Sequence, residues 1–260
     1  MKIENKELRE TLLAPDEPTP FAILNADAIL PVLLVCDHAS NLVPAALRGL
    51  GLETNILDLH IAYDIGAGEV SRNLSVNIDA PLVLAGYSRL LIDLNRPPDH
   101  PQSILTVSDD IPIPGNKNLD NNAKHQRVRD LFEPYHSAVD RALANISGAD
   151  QTPALLSVHS FSPDFGGHRR PWDIGVLWNR DPRIASPLIE LLNSKGLNVG
   201  NNEPYSGHDL AYTIDRHGGI AGLPSCAVEI NQNQLRDETG IKRWSNVLAE
   251  TLTEILKRLD

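Results

Sequence analysis

Only two cysteines, Cys36 and Cys226, occur in 260 residues, and both sit inside apolar runs. That scarcity excludes a disulfide scaffold, and a small buried hydrophobe is the expected role of each. Basic residues are also short: 23 Lys and Arg stand against 34 Asp and Glu, a formal charge of −11 that disfavours non-specific nucleic-acid or anionic-membrane binding. No apolar run is long enough to span a bilayer; the longest lies near 28–36. The charged amino terminus, Met-Lys-Ile-Glu-Asn-Lys-Glu, leads into no signal-peptide core, so the expectation is a cytoplasmic protein. No Gly-x-Ser-x-Gly elbow surrounds Ser40, Ser157 or Ser160, neither a Walker loop nor a Gly-x-Gly-x-x-Gly turn occurs, and Asp64-Ile-Gly-Ala-Gly contains a Gly-x-Gly fragment only. Serine-nucleophile and nucleotide chemistry are therefore disfavoured.

What is present is enough apolar material, 42% of residues, to bury a substantial core. The expectation is one α/β domain over 1–260, with a polar arm at about 1–25 carrying Pro15, Pro18 and Pro20. Short apolar runs predict strands at 31–36, 82–85, 89–94, 154–158, 174–178 and 225–230. Helical spacing appears at 65–78, and again between 120 and 146, where Pro134 is expected to kink or divide the helix. Asp181-Pro182 caps a further helix that Gly196 closes, and a last helix starts near Ile241. Strands alternating with helices predict a central mixed, mainly parallel sheet flanked by helices. The proline- and glycine-rich stretch 96–119 reads as a long functional loop.

Three of the apolar runs carry groups able to do metal chemistry: Pro-Val-Leu-Leu-Val-Cys-Asp-His at 31–38, Ala-Leu-Leu-Ser-Val-His at 154–159 and Ser-Cys-Ala-Val-Glu-Ile at 225–230. Open α/β sheets bind ligands at the carboxyl ends of their strands, so His38, His159 and Glu229 are candidates to meet at one edge. Two imidazoles and a carboxylate are the raw materials of a hydrolytic zinc site, which leaves a fourth position for water. The bland alternative for each histidine is a hydrogen-bonded loop residue.

For a third ligand Asp64 leads, ahead of His60 and Asn41, although an Asp at a helix start also serves as a plain cap. Asp37 is a candidate to orient a ligand from behind. Glu229, between Val228 and Ile230, would be costly if buried without a partner. A proton-shuttling role resolves that cost; an ion pair with an arginine is the structural alternative. Asn95 and Arg96 suit carboxylate recognition, Arg89 suits oxyanion support, and Arg170 is a further anion contact. Either Arg89 or Arg96 could instead simply neutralise Asp93 or Asp64.

Taken together, Cys-Asp-His-Ala-Ser-Asn at 36–41, His-Ile-Ala-Tyr-Asp-Ile-Gly-Ala at 60–67, Tyr-Ser-Arg-Leu-Leu-Ile-Asp-Leu-Asn-Arg-Pro at 87–97, Ser-Val-His-Ser-Phe at 157–161 and Val-Glu-Ile at 228–230 resemble the N-formylglutamate amidohydrolase family. The resemblance implies a zinc-exopeptidase-like α/β fold, related to zinc carboxypeptidases, aspartoacylases and peptidoglycan amidases. It implies His38 and His159 as metal ligands, Asn95 and Arg96 as the holders of a substrate carboxylate, and Glu229 as the catalytic glutamate. Where such relatives carry His-x-x-Glu this chain has Asn41, which moves the carboxylate ligand elsewhere, with Asp64 the candidate. The implied function is a Zn2+-dependent hydrolase, another divalent ion being possible. Its substrate would be a small anionic amide, an N-formyl or N-acyl acidic amino acid such as N-formylglutamate. A peptidoglycan amidase or carboxypeptidase-like peptidase, and a non-catalytic binding protein for small acidic ligands, are the alternatives. A homo-oligomer is possible.

Overall fold

A computed structural model describes residues 11–28, 30–147 and 152–259. In chain order the strands are β1 (Phe21–Leu24), β2 (Val32–Cys36), β3 (Leu82–Ala85), β4 (Val107–Ser108), β5 (Ile111–Pro112), β6 (Ala154–Phe161), β7 (Asp164–Phe165), β8 (His168–Arg169), β9 (Ile174–Leu177), β10 (Val199–Asn201) and β11 (Ser225–Asn231). The helices are α1 (Thr54–Leu57), α2 (Ala67–Ile78), α3 (Asn121–Arg127), α4 (Glu133–Ser147), α5 (Pro182–Ser194), α6 (Gly207–Leu210), α7 (Tyr212–Ile214) and α8 (Glu238–Leu256). Seven strands form one sheet in the order β1-β3-β2-β6-β11-β9-β10. Its β3, β2, β6 and β11 run parallel, while β1 and the β9/β10 pair join their neighbours β3 and β11 antiparallel. The sheet is mixed and mainly parallel, with helices on both faces.

Strand period two divides the core cleanly. Val32, Leu34, Cys36, Leu156, Val158, Val228 and Ile230 pack with α2, α5 and α8 on one face. Leu33, Val35, Leu155 and Ala227 pack with α4 on the other. His159 and Glu229 share the parity of Leu155 and Ala227, so both point to the α4 face, and they stand opposite each other in the β6/β11 register. Caps follow chemistry: the Asp181 carboxylate accepts from the Arg183 amide at the start of α5, and Asp237 accepts from Gly240 at the start of α8.

Several expectations need correction. The run 89–94 is no strand but a buried turn. Leu90, Leu91 and Ile92 all enter the same cluster, against a strand's alternation. Side chains, not a ladder, satisfy their carbonyls: Arg127 donates to Leu91 O at 2.7 Å and Asn116 donates to Leu90 O at 2.8 Å. The predicted arm is not wholly a tail, since 21–24 pair with β3 as an edge strand; its first ten residues lie outside those described. The division near Pro134 takes the form of a wide π turn at Val128–Phe132, which accommodates the proline's missing N–H at the start of α4.

On the α4 face, His136 is buried between Leu94 and His217. Its Nε2–H donates to the Leu94 carbonyl at 2.9 Å, leaving Nδ1 as the acceptor toward His217 Nε2 at 2.8 Å. Burial, with the neighbouring His217 and Arg216, lowers its pKa from 6.5 to about 3. The folded value lies below the unfolded one, so the contribution is complete above pH 6.5 and is lost as pH falls from there toward 3. Stability should therefore drop by about 1–3 kcal/mol between pH 6.5 and pH 4 through this residue. Urea midpoints across that range should show a flatter decline for His136→Gln than for the parent; equal slopes would contradict the assignment.

Candidate metal centre and active site

His38 sits two residues beyond β2, where the chain leaves the sheet. The segment 60–66 is pinned against it: the Asp64 amide donates to the His38 carbonyl at 3.0 Å. Gly66 then turns the chain into α2 with φ +79, and a Cβ there would meet Leu235 at 2.7 Å, so the Gly-x-Gly fragment is a packing device. Asp64 does not cap α2 with its side chain. Its carboxylate points instead to both imidazoles, Oδ2 lying 3.2 Å from His38 Nδ1 and 2.8 Å from His159 Nδ1. These three buried donors form the one cluster among the described residues able to hold a metal ion, all their ligand atoms lying within 4.8 Å of one another.

Each imidazole is also held from behind. His38 Nε2 faces Asp93 Oδ1 at 2.8 Å, and His159 Nε2 faces Asp37 Oδ2 at 3.0 Å. Asp37 is itself fixed by the hydroxyls of Tyr135, Thr213 and Ser157, at 2.8, 2.9 and 3.1 Å. Carboxylates on the outer nitrogens leave both Nδ1 atoms aimed at one point, the arrangement that orients histidine ligands in metal sites. Tetrahedral zinc with bonds near 2.1 Å would separate its ligand atoms by about 3.4 Å. The Asp64 contacts at 3.2 and 2.8 Å would open slightly and the widest pair, within 4.8 Å, would close, so the donor set fits a divalent ion after a small adjustment.

The electrostatics agree. Burial and the Arg89 charge oppose protonation of His38, yet Asp93 and Asp64 outweigh them and hold its pKa above the ordinary value. Burial likewise opposes His159, and its bonds to Asp37 and Asp64 carry it well above. Burial alone would raise Asp64, whereas His38 and His159 beside it hold it below the carboxylate range. Three buried carboxylates thus favour positive charge at this point, from Arg89 and from protonation of the imidazoles, and metal binding displaces protons from such ligands. Asp93→Asn, which loosens the grip on His38, should weaken metal affinity about 10–100-fold. Titration with a competing chelator measures this, and unchanged affinity would contradict it.

A cavity of about 130 Å³ opens on this cluster and is also lined by Glu229, Arg89, Asn95, Arg96 and Tyr205. Glu229 is buried and, among the described residues, makes no ion pair, so the arginine alternative is set aside. Burial first, then the Asp64 charge, raise its pKa to about 7 against the opposing pull of His159, His38 and Arg89. A carboxyl poised near neutrality can both take and give a proton. Arg89 bridges Asp64 at 3.3 Å and Asp93 at 2.6 Å, neutralising both while lining the cavity.

Asn95 and Arg96 are held together by the chain at 210–213. Leu210 O accepts from Asn95 Nδ2 at 3.4 Å and Arg96 Nη1 at 3.2 Å, and the Thr213 amide donates to Asn95 Oδ1 at 2.9 Å. The Arg96 Nε–H is buried without a partner among the described residues.

Three sequence candidates lie elsewhere. Arg170 lines neither this cavity nor its neighbour; it donates to the Tyr205 hydroxyl at 3.0 Å and stacks 4.7 Å from the Phe165 ring, so it supports Tyr205 from behind. His60 pairs with Asp109 at 2.7 Å, and Asn41 donates to Leu57 O and Asp58, both at 3.1 Å. Neither reaches the cluster. Sequence reasoning passed over Asp93 as a partner of His38, although a carboxylate inside Leu-Leu-Ile-Asp-Leu signals a buried pairing. Tyr205 gave no signal.

The profile of the N-formylglutamate amidohydrolases matches residues 30–235. The chain belongs to the N-formylglutamate amidohydrolase family. It is 32% identical to the crystal structure of gene product Atu2144 from Agrobacterium tumefaciens, with 95% of this chain and 98% of that one covered and a TM-score of 0.92. The fold is also that of the N-formylglutamate amidohydrolase from Ralstonia eutropha JMP134, at 18% identity, 93% and 98% coverage and a TM-score of 0.72. No curated protein matches the chain. As a family member the protein is a hydrolase of amides, and every residue of the cluster and cavity described above falls inside the matched segment. Among the described residues no helix is long and apolar enough to cross a membrane.

Proposed function

We propose that the protein removes the N-formyl or another N-acyl group from an acidic amino acid, N-formylglutamate in the first instance, with a divalent ion, zinc by preference, held by His38, Asp64 and His159. The observation that carries this reading is the convergence of two backed imidazoles and Asp64 in one cavity with an unpaired buried glutamate. When bound, the ion supplies Lewis-acid polarisation and lowers the pKa of water.

The chain's own residues supply the rest. Arg96, with its unpartnered Nε–H, and Asn95 take the carboxylate of the substrate. The Glu229 carboxylate accepts a proton from the attacking water and returns it to the leaving nitrogen, so the same oxygen acts first as base and then as acid. Arg89, tied to Asp64 and Asp93, faces the charge that develops on the amide oxygen. The support for these roles is placement and burial within one cavity, together with family membership.

The direct experiment is an assay for free glutamate released from N-formylglutamate by metal-supplemented protein. Release supports the reading, and its absence from N-formyl and N-acetyl forms of both glutamate and aspartate would overturn it. Within that assay Arg96→Ala should raise KM by about 10–100-fold, the scale of a charge-assisted hydrogen bond of about 1.5–3 kcal/mol, with a smaller change in kcat. A fall in kcat alone would place Arg96 outside substrate binding.

A further inference from the structure

A second cavity, of about 170 Å³, adjoins the first. Two residues line both: Arg89 and Tyr205. Asn95 and Arg96 line only the first of these two, so of its two arginines Arg89 alone stands where the chambers meet. The groups assigned to a formylated acidic amino acid, Asn95, Arg96, Glu229 and the His38, Asp64 and His159 cluster, line the first chamber, and none of them lines the second. The second is surplus to that substrate.

The surplus space is a built chamber. Leu105 and Phe165 give it apolar walls, while Gln102 and Ser108 offer neutral hydrogen bonds. Its titratable members are already paired, His60 with Asp109 at 2.7 Å and Arg89 with Asp93 at 2.6 Å. Phe165 is 52% exposed, an uncommon state for a large aromatic, and the guanidinium of Arg170 ties it to Tyr205 as one wall.

We propose that this second chamber is an acyl subsite, and that the enzyme takes acidic amino acids N-acylated by a neutral chain longer than formyl, several heavy atoms with an internal amide or hydroxyl. The proposal rests on the amidohydrolase reading above. With the substrate carboxylate at Arg96, the acyl half extends past Arg89 and Tyr205 into the chamber. A formyl group has nothing to place there. The reaction is unchanged: the C–N bond breaks, the water oxygen joins the acyl carbon, and a water proton passes to the leaving nitrogen. Contacts remote from the scissile bond then raise kcat/KM, since binding there can be used at the reacting centre.

The test compares kcat/KM of the metal-loaded enzyme for N-formylglutamate and for glutamate acylated by an N-acetylglycyl group. The longer substrate should be favoured at least about tenfold, the low end of what one well-placed group contributes. Ser108→Trp, which fills the chamber from its rim, should cut the long-to-formyl ratio at least about tenfold, again on the scale of one lost group. Gln102→Trp, at an exposed position, serves as the second obstruction should Ser108→Trp fail to fold. A formyl substrate turned over as fast as or faster than the longer one, or a ratio unmoved by both obstructions, would overturn the acyl subsite while leaving the hydrolase reading intact. Hydrolysis of neither substrate would overturn the hydrolase reading itself, and the subsite with it.

Discussion

Glu229→Gln should lower kcat by about 10²–10⁴-fold while leaving the metal bound and KM close to that of the parent enzyme. The expectation follows from what the carboxylate touches. Glu229 pairs in register with His159 on the adjacent strand, lines the cavity, and makes no ion pair among the described residues, so no structural bond is lost on amidation. Glutamine keeps the volume and removes the charge, and with it the capacity to take a proton. The raised pKa adds a pH signature. With burial lifting Glu229 to about 7, the base form is populated only above that value, so kcat/KM should rise with pH through about 7. The glutamine variant should lose that limb. Steady-state kinetics across pH 5.5–8.5, with metal content measured on the same samples, checks both; retained turnover would remove Glu229 from the proton transfer.

Asp64→Asn should abolish metal retention and activity together, whereas His60→Ala and Asn41→Ala should keep the metal. Asp64 gives the cluster its anionic oxygen, at 2.8 and 3.2 Å from the two Nδ1 atoms, and the neutral amide is a far poorer ligand. The substitution also withdraws a charge from Arg89 and both imidazoles, so the midpoint of unfolding should fall. His60 and Asn41 are engaged with Asp109, Leu57 and Asp58, away from the cluster. A chelator-competition titration separates the three variants. Full metal binding by Asp64→Asn would move the third ligand to another residue.

Why some of this was legible in the sequence, and some not, comes down to range. Short apolar runs revealed β2, β6 and β11 and made His38, His159 and Glu229 candidates to meet at one edge, while the register that sets Glu229 opposite His159 comes from the pairing of β6 with β11. Asp64 is different. Its place before a helix made it the leading third ligand, but whether it caps that helix or turns to the imidazoles depends on backbone bonds such as that to His38 and on the positive-φ turn at Gly66, contacts that spacing does not encode. The run 89–94 misled because continuous burial reads alike in a strand and in a turn whose carbonyls are capped by Arg127 and Asn116. That error hid Asp93, whose role behind His38 needs the turn. Tyr205 and Leu210 enter through the loop after β10, and the strand order that brings this edge beside β11 is not readable from local pattern.

On the proposed mechanism, turnover depends on a divalent ion held by His38, Asp64 and His159. Elemental analysis of protein purified without chelators tests it most directly, with glutamate release from N-formylglutamate followed on the same sample before stripping, after stripping and after metal is restored. About one ion per chain is expected, lost together with activity on stripping and recovered together with it. Protein that carries no ion, takes up none when zinc or another divalent metal is supplied, and hydrolyses nothing in either state would contradict it.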